Sequence, residues 1–289
     1  LLGYEWAKWR KDGAGDRNVY YRSDDRPMYR SDTGDYATPP ELFAALRKNG
    51  ERAIVIPHHP AHGGNFCDWK DHDPEFERLV EIFQVRGSYE CAPAEGNLLS
   101  EKANAQAPFA TGYVRDALAA GWRVGFTGGG DDHRGDWGTE AIPENDYPQG
   151  LMCVFAPERT REAIFDAMWA RRVTATSGPR IFLRWTLNGA AMGSELKGAG
   201  SAPRRLTIEF HGTAPAERIE IIRNNRVVHS VPGGGREDMK VEWIDIESGA
   251  ALWLPPATHC PHPFAFYYVR VIQTDREVAW ASPIWMDPA

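Results

Sequence analysis

Ala53-Ile54-Val55-Ile56-Pro57-His58-His59-Pro60 decides how the first half of this chain is read. Four apolar residues, three of them β-branched, run without a polar break. That is the composition of a strand buried on both faces, and such strands belong to α/β layers. The run ends on two imidazoles. In α/β folds the carboxyl ends of the strands carry the site, and a neutral imidazole there is a good ligand for zinc, manganese or iron. A lone histidine in this place is more often a strand cap. A doublet, with a second such strand end further on, favours ligation.

Outward from this strand, the spacing predicts a helix over 39–47, with Thr38 as N-cap, proline at the start and Gly50 as the stop. Leu79-Val80-Glu81-Ile82-Phe83 reads as a second buried strand. Its one carboxylate, Glu81, needs an ionic partner or a metal. A helical stretch over 112–120, strands over 123–126 and 151–155, and a helix over 160–171 follow. Thr160 is that helix's N-cap, Glu162 suits its dipole, and Ala163 rules out a capping box. This alternation is the rhythm of an α/β layer or barrel. After Gly178 the helical patterns stop. Asn188-Gly189, Asn224-Asn225 and Thr274-Asp275 separate short alternating strands, as in a β-sandwich. The expected organisation is an α/β domain over 1–178 and a β-sandwich-like domain over 179–289.

The 289 residues allow one large domain or two ordinary ones. Hydrophobic and charged fractions of 42% and 25% exclude a disordered chain. A net charge of -7 offers no global positive field to nucleic acid or an anionic membrane. No run of eighteen apolar residues predicts a transmembrane helix. The four cysteines lack C-x-x-C spacing, which argues against a zinc knuckle or redox motif; free thiols are expected, with a disulfide left open. Leu1-Leu2-Gly3-Tyr4-Glu5-Trp6 reads as a strand entered in its middle, with neither Met nor a leader, so the natural protein is expected to begin earlier. Compartment and oligomeric state are not legible.

The second informative stretch is Val124-Gly125-Phe126-Thr127-Gly128-Gly129-Gly130-Asp131-Asp132-His133. A buried strand runs into three glycines, which let the backbone turn and let another group come close. Asp131 and His133 are two apart, so in an extended segment they share a face and form a common metal-ligand pair. Asp132 then faces away, as a supporting or solvated group. An Asp/Gly-rich surface turn is the plainer alternative. A phosphate-cradling loop lacks the lysine and the spacing. Glu5 poses the same question as Glu81.

Together these residues resemble the PHP (polymerase and histidinol phosphatase) superfamily of metal-dependent hydrolases. Gly3-Tyr4-Glu5 looks like its Gly-x-Glu strand end, His59-Pro60 like its His-Pro, and Asp131-Asp132-His133 like its late Asp-x-His. Pro57-His58-His59-Pro60-Ala61-His62, the 160–171 helix, Tyr268-Val269-Arg270-Val271 and Ala281-Ser282-Pro283-Ile284-Trp285 look like the branch that includes carbamate hydrolases acting on carbaryl. The likeness covers most of the chain. It implies the C-terminal part of a distorted (β/α) barrel followed by a β-sandwich-like region. It also implies two or three zinc, manganese or iron ions in the intact protein. Two departures bear on the site. The family's N-terminal His-x-His and the ligands after it are absent, and Asp16 stands where a histidine is expected, which shifts preference toward harder ions.

The resemblance implies a hydrolase in which metal ions acidify a bound water and polarise the scissile oxygen. Glu5 would bridge metals, and His59, Asp131 and His133 would ligate them. His58, His62 and Asp132 would orient ligands or shuttle a proton, with Asp16 and Glu81 nearby. Arg134 would steady negative charge, or be a solvated surface residue. The substrate would be a small phosphoester, carboxylic ester or carbamate. The lack of a Lys/Arg cluster beside the motifs favours the neutral ester. The alternative is a non-catalytic binding protein with a degenerate metal site, its β-sandwich docking a glycan or partner through residues such as Trp253, Trp280 and Trp285.

Overall fold

The structure, a computed structural model, describes residues 1–7, 13–102, 111–131, 133, 146–198 and 202–288. Strands β1 (Leu2–Trp6) and β2 (Asp16–Tyr21), then helix α1 (Pro39–Lys48) and strand β3 (Ala53–His58), open the chain; the strands form an antiparallel sheet in the order β1-β2-β3. Thr38 caps α1: Glu41 Oε2 accepts from the Thr38 amide and hydroxyl, both at 2.8 Å, and Gly50 leaves the helix at φ +64°. Strand β4 (Leu79–Gln84) pairs with β5 (Gly87–Ser88) and, beyond α2 (Val114–Ala119), with β6 (Gly125–Gly128). Then come β7 (Leu151–Val154), α3 (Arg161–Trp169) and β8 (Val173–Thr176). The Thr160 hydroxyl caps α3, accepting from the Ala163 amide at 3.2 Å.

The remainder is strand after strand: β9 (Phe182–Leu187), β10 (Ala190–Ala191), β11 (Glu195–Lys197), β12 (Arg204–His211), β13 (Ala216–Arg223), β14 (Arg226–Pro232), β15 (Asp238–Asp245), β16 (Ala265–Gln273) and β17 (Val278–Asp287). Asn188 and Gly189, and likewise Asn224 and Asn225, take the paired positive φ that two-residue hairpins require. A four-stranded sheet, β10-β9-β12-β15, faces a seven-stranded sheet, β14-β13-β16-β17-β8-β7 with β11 beside β17. Leu183, Trp185, Leu206 and Ile208 from the first share a core with Ile219, Val269, Val271 and Ala281 from the second. Trp280 and Trp285 are buried, and Trp253 packs partly buried against that core. The four cysteines are free. No helix among the described residues is long and apolar enough to cross a membrane.

The barrel expected for the first part is not what forms. Strand makes up 40% and helix 12% of the structure, and among the described residues there are three α-helices and no closed barrel. A (β/α) barrel needs each strand parallel to the next and returned by a helix. Here β1, β2 and β3 are mutually antiparallel, and among the described residues parallel pairing joins β4 to β6 and β11 to β17. The buried runs were misleading because burial on two faces does not say what covers them. Val55 of β3 packs against Leu42 and Leu46 of α1, and Ile54 and Ile56 pack against Phe165 and Met168 of α3. Val80 and Ile82 of β4 share a core with Val114 and Leu118 of α2, but also with Phe266, Tyr268 and Trp280 of the seven-stranded sheet. That sheet also draws strands from both sides of residue 178, since β8 pairs with β17 through Thr174↔Ala281 and Thr176↔Ala279.

A buried charge network fastens these parts together. Glu90 is 2% exposed. Its Oε1 accepts from Arg115 Nη2 at 2.9 Å and Tyr268 Oη at 2.7 Å; its Oε2 accepts from Arg270 Nη1 at 2.7 Å and Trp280 Nε1 at 2.8 Å. Burial raises its pKa, but Arg270, Arg115 and the other donors overcome this and bring it to about 2. Because the folded value lies below the ordinary 4.5, the stabilisation is full above that pH and is lost as pH falls toward about 2. Glu90→Gln leaves two buried guanidiniums short of an anion, and is expected to cost about 3–5 kcal/mol. Urea unfolding measures this, and the variant's stability should vary less than the wild type's between pH 4.5 and 2.

Candidate metal centre

The strand ends deliver the first group of donors. In the β2–β3 ladder Asp16 lies opposite His58, at the edge where β3 runs out. His58 and Asp16 are buried, as is His59, which leaves the strand with φ +36°. A positive φ is costly for a non-glycine residue, about 1–3 kcal/mol, and persists only where surroundings impose it. His58 Nε2 sits 3.2 Å from Glu5 Oε1, reached from β1 across the same sheet. His59 Nε2 sits 3.7 Å from Asp16 Oδ2, and the amide of Asn65 donates to that oxygen at 2.6 Å. The two imidazole rings lie 3.8 Å apart.

The second group comes from β4 and β6. Glu81 pairs in register with Thr127, and its Oε1 accepts from the His59 amide at 3.4 Å. Asp131 Oδ2 accepts from Gln84 Nε2 at 3.0 Å and from the Arg86 guanidinium, and lies 3.9 Å from His59 Nε2 and 4.0 Å from His58 Nδ1. Asp131 Oδ1 lies 2.9 Å from His133 Nε2. This pairing is not made by an extended segment, as expected from the two-residue spacing. Strand β6 stops at Gly128, and Asp131 and His133 both adopt φ +58°. The preceding glycines serve close approach: a Cβ on Gly128 would meet Leu151 backbone at 2.6 Å, and one on Gly129 would overlap Glu81 Oε2.

Two sets of donors follow. Glu5, Asp16, His58 and His59 each offer an atom within 4.8 Å of the others, and so do Glu5, Asp131 and His133. Glu5 belongs to both. Nδ1 of His58 and Nδ1 of His59 are buried without hydrogen-bond partners, and a buried polar atom left so is costly. Mixed imidazole and carboxylate donors fit zinc, manganese or iron. The residues present therefore fit divalent metal.

Their titration is coupled. The Glu5 carboxyl is held below its ordinary value by its hydrogen bond to His58. Burial opposes a charge on His58, but the bond to Glu5 and the charges of Glu81 and Asp131 prevail and raise its pKa. Burial lowers His59 well below its ordinary value, and the neighbouring His58 adds to this. Burial, assisted by Asp131, pushes Glu81 up to about 7.

His62 is set back from these donors. Its Nδ1 lies 2.8 Å from Glu101 Oε1, whose other oxygen accepts from Tyr89 Oη at 2.9 Å, and its ring centre is 5.3 Å from that of His59. Asp132 and Arg134 lie outside the described residues. Asp16, expected where the family has a histidine and grouped with the supporting residues, stands among the first donors, whereas His133 is 69% exposed at the rim. Arg86, Gln84, Asn65 and Glu101 were not singled out from sequence. Gln84 and Arg86 follow Glu81 closely, and a polar pair closing an apolar strand was the available signal.

The chain is similar over residues 138–196 to a family described as "Protein of unknown function (DUF3604)". That segment begins after His133, so it takes in α3 and strands β7 to β10 but none of the described donors. An uncharacterized protein of Chlamydia pneumoniae is 36% identical over 242 residues, 81% of this chain and 38% of the relative. One from Chlamydia trachomatis is 34% identical over 241 residues, with the same shares. This chain thus spans 38% of the length of these relatives. Among solved structures, the fibronectin(III)-like modules of Clostridium thermocellum CbhA match at 12% identity and a TM-score of 0.22, over 36% of this chain and 94% of that one.

Gly129 gives a test of the cluster's packing. Gly129→Ala drives a methyl into the Glu81 carboxylate, with an expected cost of about 1–3 kcal/mol. Gly130→Ala meets only the Gln149 side chain, at 3.1 Å, and should cost less. Urea unfolding of the two variants compares them.

Proposed function

We propose that this chain carries the catalytic metal centre of a PHP-like hydrolase that cleaves a small ester with water. The observation supporting this most is the membership of Glu5 in both donor sets, as expected of a carboxylate placed between two ions. Glu5, Asp16, His58 and His59 would hold one ion, and Glu5, Asp131 and His133 another. When bound, such ions acidify water and polarise the scissile oxygen. The chain's own residues supply the rest. Arg86 and Gln84 fix the Asp131 carboxylate, and Asn65 fixes that of Asp16. Glu81, whose Oε1 lies at the His59 amide beside both donor sets, would take up the proton released by the attacking water.

The substrate class follows from charge. Among the described residues, the guanidinium at this cluster is that of Arg86, and Asp131 takes up its charge. A phosphoester would want a cation not already paired. A neutral carboxylic ester or carbamate suits the cluster better.

The test is a panel of aryl carbamates, carboxylic esters and phosphates, assayed with added zinc, manganese or iron. Hydrolysis is expected to need metal and to be fastest with the neutral esters. Combined Asp131→Ala and His133→Ala should abolish it. Asn65→Ala, which removes a partner of Asp16, should weaken metal affinity about 10- to 100-fold. Absence of metal binding by elemental analysis and titration, with no effect of these substitutions, sinks the reading.

A further inference from the structure

We propose a second metal site, separate from the Glu5 cluster, in which Cys260, His262 and Asp287 hold a zinc ion that pins the 246–264 connection to the end of β17. The three side chains offer donor atoms within 4.8 Å of one another. Cys260 Sγ lies 3.6 Å from His262 Nδ1 and 4.0 Å from its Nε2, and His262 Nδ1 lies 3.8 Å from Asp287 Oδ1. In a tetrahedral zinc shell, with Zn–S about 2.3 Å and Zn–N about 2.0–2.1 Å, neighbouring donors stand roughly 3.5 Å apart. Closing on an ion therefore brings the donors from at most 4.8 Å to that spacing, a side-chain adjustment of roughly 1 Å. His262 Nδ1 is 3.1 Å from the Pro263 carbonyl. With its proton on Nε2, Nδ1, the nitrogen that faces both Cys260 Sγ and Asp287 Oδ1, carries the lone pair for the ion.

The donors are held in place before any ion arrives. Ala257 and Cys260 exchange backbone hydrogen bonds at 2.8 and 3.1 Å, and the His259 amide donates to the Ala120 carbonyl at 3.0 Å. A Cβ on Gly121 would come within 2.7 Å of Cys260 Cβ, so the chain has no room to retreat on that side. Pro261 and Pro263 flank His262 and restrict its backbone. Asp287 closes β17, and its Oδ1 accepts from Arg123 Nη2 at 2.6 Å. That guanidinium is shared with Glu195, at 2.6 Å, so it does not cancel the carboxylate on its own. Thiolate, imidazole and carboxylate together select a borderline ion, zinc before magnesium or calcium. His262 is 46% exposed, which leaves the fourth position to water. Because the donors come from the 246–264 connection and from the end of β17, the ion would tie the two together, with water completing the shell.

Without metal, the same atoms make a plain thiol contact, Cys260 Sγ to the His262 carbonyl at 3.5 Å. Cobalt separates the two, because a thiolate bound to cobalt gives a near-ultraviolet charge-transfer band. The Glu5 cluster, made of nitrogen and oxygen donors, cannot give one. The full chain is titrated with cobalt(II). One thiolate band per chain is expected, lost in Cys260→Ser and unchanged in His59→Ala. His262→Ala, at a half-exposed position that leaves the fold intact by circular dichroism, should weaken the band's cobalt affinity about tenfold or more. No band at saturating cobalt, or a band that survives Cys260→Ser, overturns the site. Loss of metal at the Glu5 cluster alone leaves the band in place, so failure of the hydrolase reading is seen separately.

Discussion

The Glu90 carboxylate is the constraint on which the arrangement turns. A buried carboxylate is tolerated only when its lone pairs and charge are answered, and here four donors answer it. Two belong to β16, Tyr268 and Arg270; one belongs to β17, Trp280; and one to α2, Arg115. Arg270 is in turn bonded to Glu220 of β13 at 2.6 and 2.8 Å, so the charge is balanced across the sheet. The backbone repeats the link, since the amides of Val114 and Arg115 donate to the carbonyls of Tyr89 and Glu90, each at 3.0 Å. Residues 86–90 are consequently fixed against the large sheet. Arg86 at one end of this run reaches Asp131, and Tyr89 reaches Glu101, which holds His62.

Charge also organises the candidate centre. Glu5, Asp16, Glu81 and Asp131 converge on two adjacent imidazoles. The buried ones among them cannot all be ionised without compensation. Without a metal ion the compensation is piecemeal: Arg86 on Asp131, a raised pKa at His58, and a proton on Glu81 held up to about neutral pH. Burial drives His59 the other way, and the charge of His58, its ring 3.8 Å off, adds to this. Divalent ions held by the two donor sets would add the positive charge that these devices supply in part. The backbone is left-handed at His59, Asp131 and His133. Such a conformation carries a local cost at a non-glycine residue and persists where the surroundings impose it.

Much of the local structure was legible. Thr38 with Pro39, Thr160, and the Asn188-Gly189 turn carry their geometry in adjacent residues, and they adopt it. The apolar runs of β3 and β4 correctly announced burial on both faces. They could not announce the cover, because periodicity is a property of one segment and cover is a property of its partners. The pairing of Thr174 with Ala281 spans more than a hundred residues, and no local signal sets it. In the site, strand-end position pointed to His58 and His59. It did not locate Arg86, whose role depends on a turn after β4, nor did it foresee that Asp131 and His133 meet through two positive-φ residues rather than along a strand. Cys260, His262 and Asp287 escaped notice for the same reason: the third donor lies 25 positions from the second.

Strand β17 gives this separation a consequence. Its Trp280 binds Glu90. Its Ser282 hydroxyl accepts from the Phe126 amide of β6 at 2.9 Å and donates to the Val173 carbonyl of β8 at 2.6 Å. Its Asp287 binds Arg123, just before β6 begins. The strand that delivers Asp131 and His133 is thus gripped at two points by a strand from the far end of the chain. A Cβ on Gly125 would come within 2.9 Å of Ser282 Oγ, so the two approach closely there. The first 178 residues would therefore lack the support that positions β6, however complete their own set of ligands. Anything that fixes the end of β17, whether Arg123 alone or an ion at Cys260 and His262, also fixes the base of the strand that carries the late motif.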